Sequence, residues 1–390
     1  MKPKDHNEAV ESAFTKLKNY IEAADFSGYD PYDGLMSPLF RLPVLRSYKP
    51  IRFYAQQLIK RSPVNLRPLL GIQKSVNPVT LGLCIQGYTA TAASKAEAFH
   101  VCDPLVERLK QLQSKGFSGA CWGYNFDWEA RYATIPAYQP TVVATGIIIN
   151  ALYKYATLSG DTKADDLISG AAQFVLNDLR RTTDPSGAVC FSYSPFDSQR
   201  VYNASLKGGR ILAQAGARTG NKLMLETAIK AAEYVAERQQ PNGAWTYAES
   251  KGTWTDNYHT GYVLDCLSDI ARLCAVTTFD EVIKKGFDFY RNHFFETSGM
   301  PKFYHNAAFP VDCTAAAQSI LTLTRFGATE KALEVAAYMI GHMQSKSGAF
   351  YFRKYRSHTE KISFMRWSDS WMFAAFGELL REIKTERATV

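Results

Sequence analysis

Apolar positions along this chain recur at helical spacing, in two kinds of segment that alternate. One kind is amphipathic. In residues 221–239, Leu223, Leu225, Ala228, Ala231, Ala232 and Val235 fall on one side, with Lys222, Glu226, Lys230 and Glu237 on the other. That is the pattern of a helix with one face in water. Comparable stripes run through 99–115, 164–181, 279–293 and 330–344. The other kind is apolar nearly all round and rich in Ala, Gly, Ser and Thr, as in 141–155, 260–274 and 314–324. A helix apolar on every side is buried on every side.

A short turn element follows each amphipathic segment: a glycine, small or apolar residues, then an aromatic. The clearest copies are Gly119-Ala120-Cys121-Trp122, Gly187-Ala188-Val189-Cys190-Phe191 and Gly243-Ala244-Trp245-Thr246-Tyr247, with looser ones beginning at Gly299 and Gly348. Such self-similarity marks a repeat architecture. Each unit reads as outer helix, turn, loop, inner helix. Inner helices are predicted at 79–90, 139–155, 203–217, 257–274, 312–325 and 367–381, and the first outer partner at 51–60. Six such hairpins predict an all-α (α/α)6 toroid over residues 46–390. Residues 1–45 read as a short N-terminal helical appendage. It has a helix at 7–24 with Val10, Phe14, Leu17 and Ile21 on one stripe, then turn chemistry at Tyr29-Asp30-Pro31-Tyr32-Asp33-Gly34. Strand patterns are almost absent, apart from short Tyr/Phe stretches such as 349–353.

Composition narrows the class. Of 390 residues, 46% are hydrophobic and 21% charged, which excludes a disordered chain. No apolar run reaches the roughly 18 residues of a membrane span, and no apolar leader opens the chain. Seven scattered cysteines with no C-x-x-C pair predict free thiols and a reduced, cytoplasmic setting. A net charge of +8 mildly favours an anionic partner and is too small to argue for nucleic acid.

Inner helices follow the long loops, so their N-termini converge at one mouth, where helix dipoles favour anions. All six tryptophans lie in turns, loops or first turns at this end, among many tyrosines. Trp122, Tyr124, Trp128, Tyr202, Trp254 and Trp367 are candidate platforms for sugar rings or isoprenoid chains; turn aromatics can equally be wedges between hairpins. The loop 122–131 concentrates Asp127, Glu129 and Arg131. Asp127 and Arg131 read either as ligand contacts or as a bracing pair. In 253–260, Asp256 is placed to cap a helix, and His259, beside Tyr258, is placed for acid–base work or as a satisfied core residue. Asp312 and Asp369 are caps or functional carboxylates. His305, Lys207, Arg210 and Arg366 complete the candidate rim. Metal-ligand spacing, G-x-G-x-x-G, a P-loop and G-x-S-x-G are all missing, so neither a metal nor a cofactor is expected.

Asp256-Asn257-Tyr258-His259-Thr260-Gly261-Tyr262-Val263-Leu264 resembles the D-x-Y-H-T-x-Y-x-L inner-helix start of protein prenyltransferase β subunits, whose His binds zinc. That family also needs an earlier Asp-x-Cys, and the related terpene cyclases a D-x-D-D acid; this chain has neither. The resemblance therefore implies the toroid without that chemistry. The Gly-Ala-Trp turns and Tyr-rich inner-helix starts are similar to the C-terminal helical domain of glucuronyl C5-epimerases. The segments 29–35 and 122–131 resemble (α/α)6-toroid proteins of bacterial surface-polysaccharide biosynthesis, over about residues 25–385.

Three functions follow. The leading one is an enzyme acting on an acidic, uronate-containing saccharide, by epimerase, lyase or hydrolase chemistry. In the first two, Arg131 or Arg366 would neutralise the carboxylate while Tyr258 or His259 moves the proton α to it. In a hydrolase, two carboxylates among Asp127, Asp256, Asp312 and Asp369 would flank the glycosidic bond. The alternatives are an isoprenoid enzyme and a non-enzymatic glycan-binding protein.

Overall fold

The computed structural model describes residues 3–129, 134–250 and 254–389. Six inner helices form a closed ring: α4 (Pro78–Thr91), α6 (Val142–Ser159), α8 (Tyr202–Thr219), α10 (Asn257–Cys274), α12 (Cys313–Arg325) and α14 (Ser370–Thr389). Each packs on the next, and α14 packs on α4 to close the circle. These are the helices predicted from the all-round apolar segments, and nearly every residue of α4, α8 and α12 is buried. α6 is apolar enough for a membrane by composition, but 72% of it is buried in this ring.

The outer layer is α5 (Lys95–Gln111), α7 (Thr162–Asn177), α9 (Lys222–Ala236), α11 (Asp280–His293), α13 (Thr329–Met343) and α1 (Pro3–Ala23). The helix assigned to an N-terminal arm is therefore the outer partner of the last inner helix. It packs on α13 and α14, burying Val10, Phe14, Leu17 and Ile21. The turn glycines show why. Gly243 and Gly348 have φ of +92° and +97°, and a Cβ on them would run into the carbonyls of Lys285 in α11 and Lys16 in α1. Gly119 and Gly299 meet α7 and α13 in the same way, while Gly187 meets open space, so four of the five turns rest on the next outer helix, and for the last turn that helix is α1.

The segment predicted as the first outer helix stands elsewhere. α2 (Pro43–Ser47) and α3 (Lys49–Arg61) lie outside the ring, with α3 against the Asp33–Met36 turn and the Trp128–Glu129 strand. Arg52 reaches Glu129 at 3.0 Å, and fully buried Arg67 reaches Asp33 at 2.6 Å. Ser27–Gly28 pairs with Ser75–Val76, which ties this 27–76 excursion back to the start of α4.

Candidate functional site

The inner-helix N-termini meet below this excursion, and a cavity of about 260 Å³ opens between them. Its walls are mainly aromatic: Tyr124, Trp128, Tyr193, Tyr247, Trp254, Tyr258, Tyr262 and Trp367. Tyr32 comes from the turn after α1 and packs edge-on against both Trp128 and Trp367, each at 5.7 Å.

At its centre stands a carboxylate–imidazole pair built by a helix cap. Asp256 precedes α10, and its Oδ1 accepts the His259 backbone N–H at 3.0 Å. Its Oδ2 takes the His259 Nδ1 at 2.7 Å and the Trp254 Nε1–H at 2.5 Å. The carboxylate is wholly buried, while His259 remains partly open to the cavity. A carboxylate partner makes Nδ1 the donor and leaves Nε2 as the basic nitrogen. Trp254 stacks on Tyr247, with ring centres 4.8 Å apart, and Tyr258 lies 4.0 Å from the imidazole. Burial first, then the Asp256 charge, pushes the Tyr258 hydroxyl well above its ordinary range, so it keeps its proton.

Arg366 lines the same cavity, but its fork is partly taken. Nε and Nη2 hold the two oxygens of Asp30 at 2.5 and 2.9 Å, and the guanidinium lies over Tyr124 at 4.7 Å. Nη1 has no hydrogen bond among the described residues and is the nitrogen left for a ligand.

The structure therefore gathers Tyr124, Trp128, Trp254, Tyr258, His259, Arg366 and Trp367, with Asp256 behind the histidine. It separates the other candidates. Trp122 is buried in the core, its indole N–H donating to the Leu109 carbonyl at 2.8 Å; Trp245 does the same to Val235 at 2.9 Å. These are wedges that cap outer helices. Asp127 faces away from the cavity, bound to the Ala137 N–H and to Arg52. Asp312 caps α12 and is held by Arg353 at 2.6 Å. Asp369 is fully buried, accepting from the Phe350 N–H at 2.7 Å and from Ser363. Burial pushes its carboxyl up to about 7. Tyr202 is buried beside the mouth, and His305 packs on Phe289 and Phe294. Arg131 lies outside the described residues.

Lys207 is the largest displacement. Starting from Tyr202, it lies about 7–8 Å down α8 at 1.5 Å per residue. It lines a second cavity of about 410 Å³ toward the inner-helix C-termini, together with Arg210. Its ammonium rests under the Tyr262 ring at 3.8 Å, and burial pushes it down to about 7. Missed by the sequence reading were Tyr32, Phe126, Asn203, Tyr262 and Thr314 as lining residues, and Asp30 as the partner of Arg366. Tyr262, one turn after Tyr258 on the same helix, was the most findable.

Among the described residues, no cavity-lining side chain is a carboxylate and no cluster of three metal-ligating groups exists. The cavity offers a base, protonated hydroxyls, an arginine N–H and stacking surfaces.

No family model matches the sequence, and no curated protein matches it. Solved structures share the fold. A sugar epimerase from a ruminal bacterium aligns at 13% identity and TM-score 0.62, over 81% of this chain and 90% of that one. Cellobiose 2-epimerase from Bacillus thermoamylovorans aligns at 10% and 0.60, over 80% and 90%. An unsaturated glucuronyl hydrolase specific for heparin aligns at 14% and 0.61, over 98% of both chains. At these identities the likeness establishes the (α/α)6 toroid.

Proposed function

We propose that this chain is a carbohydrate-processing enzyme that moves a proton at a sugar carbon, an epimerase or isomerase working in the aromatic mouth. The observation that carries this reading is the Asp256–His259 pair opening onto a cavity whose described lining has no carboxylate. Two carboxylates are what glycoside hydrolysis ordinarily requires. A positioned imidazole with protonated tyrosines suits carbon-acid chemistry instead. His259 Nε2 takes the proton, and the electron pair moves onto the adjacent carbonyl or carboxylate oxygen. Arg366 Nη1 meets that developing charge. A tyrosine hydroxyl returns a proton to the opposite face of the carbon.

Stacked aromatics beside polar groups support a sugar ring as the substrate. A uronate is the class we favour, because the converging helix N-termini and Arg366 Nη1 suit a carboxylate. Several structural neighbours are named as sugar epimerases, which supports the reaction class. The full-length likeness to a glucuronyl hydrolase favours one second reading, hydrolysis of a uronate-bearing saccharide.

The test is a panel of reducing sugars and uronate oligosaccharides, followed by NMR for a change of configuration. Parent protein is expected to convert one class. His259→Ala is expected to lower kcat by about 10²–10⁴-fold, the usual worth of a positioned acid–base group, with the melting temperature held. Release of free sugar without inversion would favour the hydrolytic reading.

A further inference from the structure

The 27–76 excursion carries a surface that the mouth chemistry does not use. Nine of the fourteen exposed large apolar side chains among the described residues lie between Leu39 and Leu69. Val44 is 72% exposed, Tyr54 71% and Leu69 84%. On α3, Ile51, Tyr54 and Leu58 recur at i, i+3 and i+7, so they share one outward face, while Arg52, Gln56 and Ile59 face inward. α2 has no buried residue. A soluble surface rarely gathers so many apolar side chains in one place without use for them.

Charge is segregated onto the same segment. Residues 38–74 contain eight Lys or Arg and no Asp or Glu, in a chain whose whole net charge is +8. Arg52 and Arg67 are tied inward to Glu129 and Asp33. Arg41, Arg46, Arg61 and Lys74 are exposed beside the apolar face.

Apolar side chains flanked by cations, with tyrosines at the border, suit the headgroup region of an anionic bilayer. A second copy of this chain fits poorly, because a two-fold contact would press cationic face on cationic face. Nucleic acid would attract the cations and leave the exposed Leu and Val side chains without a partner. We infer that the 39–69 face binds the surface of an anionic lipid membrane, as a peripheral anchor. This goes beyond the proposed activity and does not depend on it.

The 390-residue chain would be floated with vesicles of phosphatidylcholine alone, and with vesicles containing about 30% phosphatidylglycerol. Binding to the anionic vesicles is expected, weaker at high salt. Arg41→Gln, Arg46→Gln and Arg61→Gln together should lower partitioning by about 100-fold, at roughly fivefold per cation near the surface. Val44→Ser with Tyr54→Ser and Leu58→Ser should also abolish flotation. All six side chains are exposed or border solvent, so unchanged circular dichroism and melting temperature would certify the fold of each variant. No flotation with anionic vesicles, or equal flotation with both kinds, would overturn the inference. So would a concentration-dependent dimer that the apolar variant dissolves.

Discussion

At the scale of the residue, the site rests on one carboxylate performing two tasks. Asp256 caps α10 and orients His259, so the local signal for a helix start and the signal for an acid–base pair are the same residues. That is why 253–260 was legible: Asp-x-x-His at a helix N-terminus brings cap and imidazole together through a single turn. Asp256→Asn separates the tasks. Asparagine caps about as well as aspartate, so the fold should hold. The imidazole loses the carboxylate that orients it, so kcat should fall by about 10²-fold or more. An unchanged kcat would leave Asp256 a cap alone. Asp312 and Asp369 look the same in sequence, yet their partners, Arg353 on a short strand and Ser363 in a loop, lie 41 and 6 residues away. Spacing could not reveal those partners. Burial raises the Asp369 carboxyl from the ordinary range near ~4 to about 7. A raised folded value means that ionisation costs stability as pH climbs through that window, and the cost is complete above it. Asp369→Asn should therefore gain melting temperature relative to the parent between pH 4.5 and pH 8 (roughly spanning the two values). A difference that does not change with pH would contradict this.

At the scale of the element, inner helices were the most legible part of the chain. All-round apolarity, recurring between amphipathic segments, points to a buried inner layer, and 257–274 coincides with α10 to the residue. The turns were legible as repeats but not as contacts, because four of the five turn glycines answer to the next outer helix. Gly348→Ala would place a methyl group against the Lys16 carbonyl and force a β-carbon into positive φ. We expect a loss of about 2 kcal/mol or more, measured by urea unfolding. Gly160→Ala also has positive φ but meets open space, so it should cost only the conformational part, about 1–2 kcal/mol. Equal losses at both sites would mean that the turn does not rest on α1.

At the scale of the whole molecule, the ring closes through its first helix. This was not visible in the chain because the partner strip on α13 and α14 lies more than 300 residues away. The stretch between, 27–76, interrupts the repeat and made α1 look detached. Val10, Phe14, Leu17 and Ile21 together stabilise the closure by on the order of 6–12 kcal/mol before entropy, comparable to the stability of a typical domain. Removing residues 1–24 should therefore unfold the toroid or leave it aggregated, whereas loss of a detached arm would leave the melting temperature unchanged. The same interruption supplies Tyr32 and Asp30 to the mouth, so closure and site share one segment. The central claim is that this mouth moves protons on carbon, with His259 as the base. It is tested most directly by running the reaction in deuterium oxide and reading the product by NMR. The account predicts one deuterium at the carbon whose configuration changes, and none when His259→Ala replaces the parent. Product with no deuterium on carbon would contradict it.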